Sequence, residues 1–270
     1  MLPLRDTIRS QSFPAVNTGL LAICGLIFLL QCQQGDEMLW NWGLVPYRIS
    51  NPSERLNSDF ERLAAESSGS DSLVRSVLWD FCLPMLHAMA TLLTSMFLHG
   101  GLLHLLGNMW FLYIFGDNIE DRFGHRQYLL FYLFSGVFAA VCHVLFAPIS
   151  IVPTVGASGA VAGVMGAYLR LFPRSTVVTL VPVWVIPYIV EIPAKYFLGI
   201  WFLIQLWQGS TMFSSPVVGG IAWWAHIGGF LYGWLVANWF LKRRPDQFGR
   251  AIVTRPASEH PLYRNRSDQS

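Results

Sequence analysis

The most informative segment of this chain is a run of small and apolar residues, Gly156-Ala-Ser-Gly-Ala-Val-Ala-Gly-Val-Met-Gly-Ala-Tyr-Leu169. Its glycines recur at spacings of three and four residues, which predicts a helix with one face of small side chains. Such a face lets a second helix backbone approach closely, as in helices packed inside a membrane. We therefore expect this segment to be a membrane helix around which the chain is organised.

One hydroxyl, that of Ser158, stands at the start of this segment between two glycines. A helix N-terminus carries unpaired N–H groups and partial positive charge, which can stabilise an oxyanion that forms beside a nucleophile. The alternative is that Ser158 only caps a packing helix. The segment taken alone favours the packing role.

Composition indicates a multi-pass membrane protein. The chain has 270 residues, of which 53% are hydrophobic and only 13% charged, whereas soluble domains carry roughly a quarter of charged residues. The net charge of +2 forms no basic stripe that would track a nucleic acid. The cysteines lack metal-binding spacing, and we expect no metal and no cofactor.

Hydrophobic patterning predicts an all-α membrane protein with six transmembrane helices. The predicted spans are residues 15–30, 102–119, 128–146, 156–169, 194–207 and 222–241. Residues 176–192 are apolar but rich in proline and β-branched residues, which favours a short hairpin or an interfacial excursion over a spanning helix.

The predicted organisation has three parts. Residues 1–14 form a cytoplasmic N-terminal segment, 15–241 the membrane domain and 242–270 a cytoplasmic tail that we expect to be disordered. Within the membrane domain, residues 33–86 form a long non-cytoplasmic loop against the membrane interface, with a short amphipathic turn at 60–65 and a flexible stretch at 67–72.

Loop charges predict the orientation. In a six-span arrangement the basic residues that flank the spans fall on one side, and the acidic long loop falls on the other. These basic residues are Arg5, Arg9, Arg122, Arg126, Arg170, Arg174, Lys242, Arg243 and Arg244. The positive-inside rule makes both termini cytoplasmic and puts Ser158 and His226 at the same, non-cytoplasmic depth.

Polar residues inside the spans indicate where chemistry could occur, because burying them in hydrocarbon is costly unless they are paired or functional. His104 and Asn108 share one helix face, and His226 shares a face with Gly229 and Gly233. A neutral histidine accepts the proton of a serine nucleophile near neutral pH. His104 and Asn108 could donate hydrogen bonds to an oxyanion or to a neighbouring helix.

Four motifs together resemble the rhomboid family of intramembrane serine proteases, from the first predicted span to the last. They are Gly156-Ala-Ser-Gly159, Ala225-His226-Ile-Gly-Gly-Phe-Leu-Tyr-Gly233, His99-x4-His104-x3-Asn108 and Glu120-Asp-Arg122. The resemblance implies a six-helix rhomboid-like bundle, a Ser–His dyad without an acidic third member, and cleavage of transmembrane segments of other proteins.

Carried over by motif, Ser158 is expected to be the nucleophile and His226 the general base. His104 and Asn108, with Gly156 and the Ser158 N–H, are expected to form the oxyanion hole. The structural residues implied are His99, Glu120, Arg122, Gly159, Gly229 and Gly233.

The sequence departs from the family pattern at two places. Some members carry an aromatic residue four positions after the serine, stacked on the catalytic histidine, where this chain has Ala162. Many members have a Trp-Arg pair in the first loop, and no such dipeptide occurs in this loop. Neither departure removes a catalytic group.

The resulting hypothesis is a serine endopeptidase that acts through an acyl-enzyme on transmembrane proteins in the bilayer. Its expected location is the cytoplasmic (inner) membrane of a bacterium, with an organelle membrane as the alternative. Residues 208–220 are a candidate lid and span five a candidate substrate gate. The alternatives are a catalytically silent client-binding relative and a transporter, although no inverted repeat supports the latter. A metalloprotease is disfavoured because no His-Glu-x-x-His motif occurs.

Overall fold

The computed structural model describes residues 1–8, 10–51, 83–184, 186–211 and 222–243, and most of them are helical. The elements in chain order are β1 (Leu2–Asp6), α1 (Ala15–Gln34), α2 (Glu37–Trp42), α3 (Pro46–Ser50), α4 (Leu83–Thr94), α5 (Leu102–Phe123), α6 (His125–Phe146), α7 (Ser158–Leu171), β2 (Thr176–Val183), β3 (Ile186–Pro193), α8 (Ala194–Thr211) and α9 (Trp223–Arg243). A 3-10 turn, Ser95–Phe97, connects α4 towards α5.

Each of the six predicted spans corresponds to a helix, namely α1, α5, α6, α7, α8 and α9. Several helices extend beyond the predicted ends, because polar residues continue the helix after the apolar run has stopped. α1 ends only before Gly35, with φ of 71°, and α5 only before Gly124, with φ of 81°. Glycine adopts this left-handed conformation without steric cost, which makes it a common helix terminator.

Among the described residues, α1 and α6 are each long and apolar enough to cross a membrane alone. The segments Met85–Phe97 and Leu102–Phe123, bent by 76°, pass the same test as a pair and would add a third span. α7 has 14 residues, about 21 Å of helix against the roughly 30 Å of a bilayer core. The count of six spans and the cytoplasmic position of both termini remain predictions.

The outward-facing surface of the helices is apolar, as expected for contact with lipid. Large apolar side chains point outward on α1 and α6, among them Leu26 (61% exposed) and Phe134 (58% exposed). In water such a belt would promote aggregation, whereas in a bilayer it is the expected lipid contact.

α7 is the most buried helix of the bundle, and residues 159–168 are all buried. It packs backbone to backbone on α9. A Cβ added to Gly229 would overlap the carbonyl oxygen of Gly159, and one added to Gly233 would overlap that of Gly163. The glycine pattern predicted such a close helix pair, and it is formed by these two helices.

The opposite side of α7 lies against α6 and α5. A Cβ on Gly159 would come within 2.6 Å of the Ala139 side chain of α6. The Tyr168 ring meets Phe115 of α5 edge to face, with ring centroids 4.9 Å apart. α7 is therefore enclosed by protein rather than by lipid.

The predicted hairpin is confirmed. β2 and β3 pair antiparallel from Thr176↔Pro193 to Val183↔Ile186, and β1 adds a third, antiparallel strand along β2. The strand β1 falls in the N-terminal segment, for which no strand was predicted. A five-residue segment that includes Pro3 has too weak a hydrophobic pattern to predict a strand. The strand forms because it can pair with the edge of β2.

The predicted loop of residues 33–86 is not entirely a loop. It contains α2 and α3, and the helix α4 begins at Leu83 rather than after residue 86. Leu44 and Thr154 form an isolated β-bridge that ties this region to the connection before α7. The turn predicted at 60–65, the stretch at 67–72 and the tail beyond residue 243 lie outside the described residues.

Replacing Gly233 by alanine is expected to lower the free energy of unfolding by about 1–3 kcal/mol or more, because the new methyl group must displace the α7 backbone. The control is Gly25→Ala in α1, where a Cβ meets nothing within 4 Å. This control should leave stability unchanged or raise it by about 0.5–1 kcal/mol. Thermal unfolding in detergent measures both, and equal stability of the two variants would contradict the close α7–α9 contact.

Candidate active site

The hydroxyl of Ser158 lies beside the imidazole of His226. Ser158 is the first residue of α7, and His226 lies in the first turn of α9. Ser158 Oγ and His226 Nε2 are 2.8 Å apart, a hydrogen-bond distance. This hydrogen bond depends on the close packing of α7 against α9, because Ser158 and His226 each lie close in sequence to a glycine of that packing.

The imidazole of His226 is held by residues that the sequence analysis did not identify. Its Nδ1 lies 2.7 Å from Gln205 Oε1 of α8. The ring centroids of Trp201 and Trp223 each lie 5.9 Å from the imidazole centroid. These three side chains contact the imidazole in a chain that has Ala162 where some family members carry an aromatic residue. The sequence signal for a role of Gln205 was its position as a polar residue within the apolar run 197–207.

Gly156 occupies a position that requires glycine. Its φ is +131°, a conformation that L side chains rarely adopt. A Cβ there would lie 2.7 Å from Cε1 and 2.9 Å from Nε2 of His104. The Gly156 N–H donates to the Ser95 carbonyl at 2.9 Å, so this N–H is already engaged.

His104 and Asn108 border the same cavity as Ser158. The Gly100 N–H donates to His104 Nδ1 at 3.2 Å, which leaves the proton of the neutral ring on Nε2, the nitrogen that faces Gly156. Asn108 donates one N–H to the His104 carbonyl at 2.8 Å and keeps a second one.

The cavity has a volume of about 450 Å³ and is lined mainly by apolar side chains. Its polar lining groups include Ser158, His226, His104 and Asn108. Predicted residues from three separate helices thus meet at one cavity.

His99 lies behind His104 rather than at the cavity. It is fully buried, and its ring meets the His104 ring edge to face with centroids 5.4 Å apart. The Gln31 amide of α1 binds the His99 backbone on both sides, accepting from its N–H at 3.1 Å and donating to its carbonyl at 2.5 Å.

Glu120 and Arg122 lie at the other end of α5, away from the cavity. Glu120 is 1% exposed and accepts the N–H groups of Val16 at 2.9 Å and Asn17 at 2.7 Å, in the first turn of α1. His125 Nδ1 also contacts Glu120 Oε1. Arg122 lies over the Phe172 ring at 5.3 Å.

The remaining predicted residues, Gly159, Gly229 and Gly233, lie in the α7–α9 contact. In the part of the chain that the structure describes, no three His, Cys, Asp or Glu side chains come together as a metal site.

A family model described as Rhomboid domain matches residues 86–243 of the chain. The chain belongs to the rhomboid family. Family membership and the exposed apolar side chains of its helices identify it as an integral membrane protein.

Similar proteins occur in a plant and in a bacterium. RHOMBOID-like protein 6, mitochondrial, of Arabidopsis thaliana is 33% identical over 179 residues, 65% of this chain and 48% of that relative. Rhomboid-like protein 11, chloroplastic, of the same plant is 34% identical over 158 residues, 57% of this chain and 52% of that relative. Rhomboid protease GluP of Bacillus subtilis is 38% identical over 78 residues, 29% of this chain and 15% of GluP. The matches thus span about half or less of these relatives.

Replacing Glu120 by alanine is expected to lower the free energy of unfolding by about 1–3 kcal/mol for each buried N–H group that loses its acceptor. The neighbouring Asp121→Ala is the control. In the described parts of the chain Asp121 accepts hydrogen bonds only from the exposed Ser12, so this change should cost less than about 1 kcal/mol. Thermal unfolding separates the two. Equal destabilisation would contradict the anchoring of α1 by Glu120.

Proposed function

We propose that this chain is an intramembrane serine endopeptidase that cleaves transmembrane segments of other proteins through an acyl-enzyme. The observation that carries the proposal is the 2.8 Å contact between Ser158 Oγ and His226 Nε2 at the edge of a cavity. A hydroxyl beside a ring nitrogen with a lone pair is an activated nucleophile.

In the proposed reaction, His226 Nε2 accepts the proton of Ser158 as Oγ attacks the scissile carbonyl carbon. The resulting imidazolium gives this proton to the leaving amine, and an acyl-enzyme remains. Water then loses a proton to His226 as its oxygen attacks the acyl carbon. The bond to Ser158 Oγ breaks, the imidazolium returns the proton to Oγ, and the acid product leaves.

Three N–H donors would stabilise the oxyanion: the backbone N–H of Ser158, the Nε2–H of His104 and the second N–H of Asn108. The Ser158 N–H belongs to the first turn of α7. The N–H groups of a first turn have no hydrogen-bond partner within the helix and lie at the positive end of the helix dipole. Gly156 contributes space rather than a donor, since its own N–H binds Ser95 and a side chain there would displace His104.

The proposed substrates are transmembrane helices. The cavity is mostly apolar, and a helix must unwind locally before a peptide carbonyl can reach Ser158. Substrates with small or helix-breaking residues near the cut are therefore favoured. Of the proposed lid at 208–220, residues 208–211 form the end of α8, and the rest lie outside the described residues.

For the membrane arrangement we propose the six-helix bundle with both termini in the cytoplasm, and a bacterial cytoplasmic membrane as its location. The bacterial GluP supports this location, whereas the two plant relatives are named mitochondrial and chloroplastic. The proposed partners are transmembrane protein substrates and the bilayer itself.

Labelling of the detergent-solubilised protein with a fluorophosphonate probe tests the activated serine. We expect wild-type protein to be labelled and Ser158→Ala and His226→Ala to lose the label, because the hydroxyl needs the base. The control is Ser135→Ala, which removes a buried serine of α6 with no hydrogen-bond partner among the described residues. No labelling of folded wild-type protein would favour a silent client-binding protein instead.

Removing a proposed oxyanion donor should slow the same reaction. We expect His104→Ala and Asn108→Ala each to reduce the labelling rate by about 10²–10³-fold, the usual effect of one lost donor. Leu106→Ala is the control, because Leu106 lies between them on α5 with 52% of its side chain exposed. Rates equal to that of the Leu106 control would remove these residues from the oxyanion hole.

A further inference from the structure

Gln205 is a buried polar residue that no part of the mechanism above uses. Only 4% of it is exposed, and it lies between Ile204 and Leu206 within an apolar helix. A buried amide in such a setting is costly unless both of its ends are hydrogen bonded.

Both ends of this amide have partners. Gln205 Nε2 donates to the Trp201 carbonyl oxygen, one helical turn earlier, at 3.3 Å. Its Oε1 lies 2.7 Å from Nδ1 of His226. The Trp201 carbonyl oxygen can only accept a hydrogen bond, so the contact with it must be made by the amide nitrogen of Gln205 and not by the amide oxygen. The amide oxygen is thereby directed at His226.

The direction of the amide determines which nitrogen of His226 carries the proton. An amide oxygen only accepts, so the Nδ1 atom that it faces must be the donor. In a neutral imidazole the proton is then absent from Nε2, and the Nε2 lone pair faces Ser158 Oγ at 2.8 Å. The opposite tautomer would place two lone pairs against each other at the 2.7 Å contact with Gln205.

The surroundings of His226 leave this task to Gln205. Among the described residues, no carboxylate lines the cavity, and Ser158 is the hydrogen-bond partner on the other ring nitrogen. Trp201 and Trp223 flank the ring and offer their faces and edges, which restrict its tilt but do not select a tautomer.

We propose that Gln205 is a positioning residue that holds His226 in the tautomer with the proton on Nδ1, so that Nε2 accepts the proton of Ser158. This inference rests on the proposed function only for its effect on rate. A neutral amide takes the position that a carboxylate occupies in a serine–histidine–aspartate triad. It orients the imidazole without adding a charge inside the membrane.

Nitrogen NMR of protein with ¹⁵N-labelled histidine tests the tautomer directly. The His226 signals are assigned by their loss in His226→Ala. We expect the wild type to show a protonated Nδ1 and an unprotonated Nε2, and Gln205→Met, which keeps the side-chain length but removes the acceptor, to show a mixture of tautomers. An unchanged tautomer in Gln205→Met would overturn the proposal.

The rate of fluorophosphonate labelling is the second readout. We expect a decrease of about 10- to 100-fold in Gln205→Met, less than the roughly 10²- to 10⁴-fold contribution of a general base, because His226 itself is still present. Gln205→Glu keeps an acceptor oxygen and should recover most of the rate. Leu203→Met, whose parent side chain is 63% exposed on the same helix, should react like the wild type.

The two readouts separate failure of this inference from failure of the proposed function. Labelling of Gln205→Met at the wild-type rate, with wild-type protein reactive, would overturn the positioning role and leave the serine protease intact. If folded wild-type protein does not react at all, both the proposed function and the expected effect of Gln205 on the labelling rate are overturned. The NMR comparison still decides whether Gln205 sets the tautomer.

Discussion

The backbone contact between α7 and α9 is the constraint on which the rest of the molecule depends. Gly229 and Gly233 lie directly against the carbonyl groups of Gly159 and Gly163, so the two helices are closer than any side chain would permit. Ser158 lies one residue before the first α7 glycine of this contact. The 2.8 Å approach of Ser158 to His226 is therefore a consequence of helix packing, and it is lost if the helices separate by an ångström or two.

The polar groups of this apolar bundle are few, and hydrogen bonds connect most of those near the cavity. From Trp201 the chain of hydrogen bonds runs through Gln205 and His226 to Ser158. At the two ends of α1, Gln31 holds the backbone of His99 and Glu120 holds the first turn. An unpaired polar group in hydrocarbon costs several kcal/mol, so these pairings favour one arrangement of α1, α5, α8 and α9.

The helices and the meeting of Ser158 with His226 were predictable because they follow from local spacing and from motifs. The hairpin at 176–192 was predictable because proline and β-branched residues oppose a helix. Other features depend on partners distant in sequence. β1 forms because the edge of β2 is available, and Gln205 reaches His226 only through the packing of α8 on α9. A single glutamine in an apolar helix indicates that some partner exists without indicating which one.

The most direct test of this account is a crystal structure of the protein after inactivation by a fluorophosphonate. The account predicts a covalent bond from Ser158 Oγ to phosphorus. One phosphoryl oxygen should lie within hydrogen-bond distance of the Ser158 N–H, His104 Nε2 and Asn108 Nδ2, while Nδ1 of His226 still faces Gln205. An adduct on another residue, or a phosphoryl oxygen turned away from α5, would contradict it.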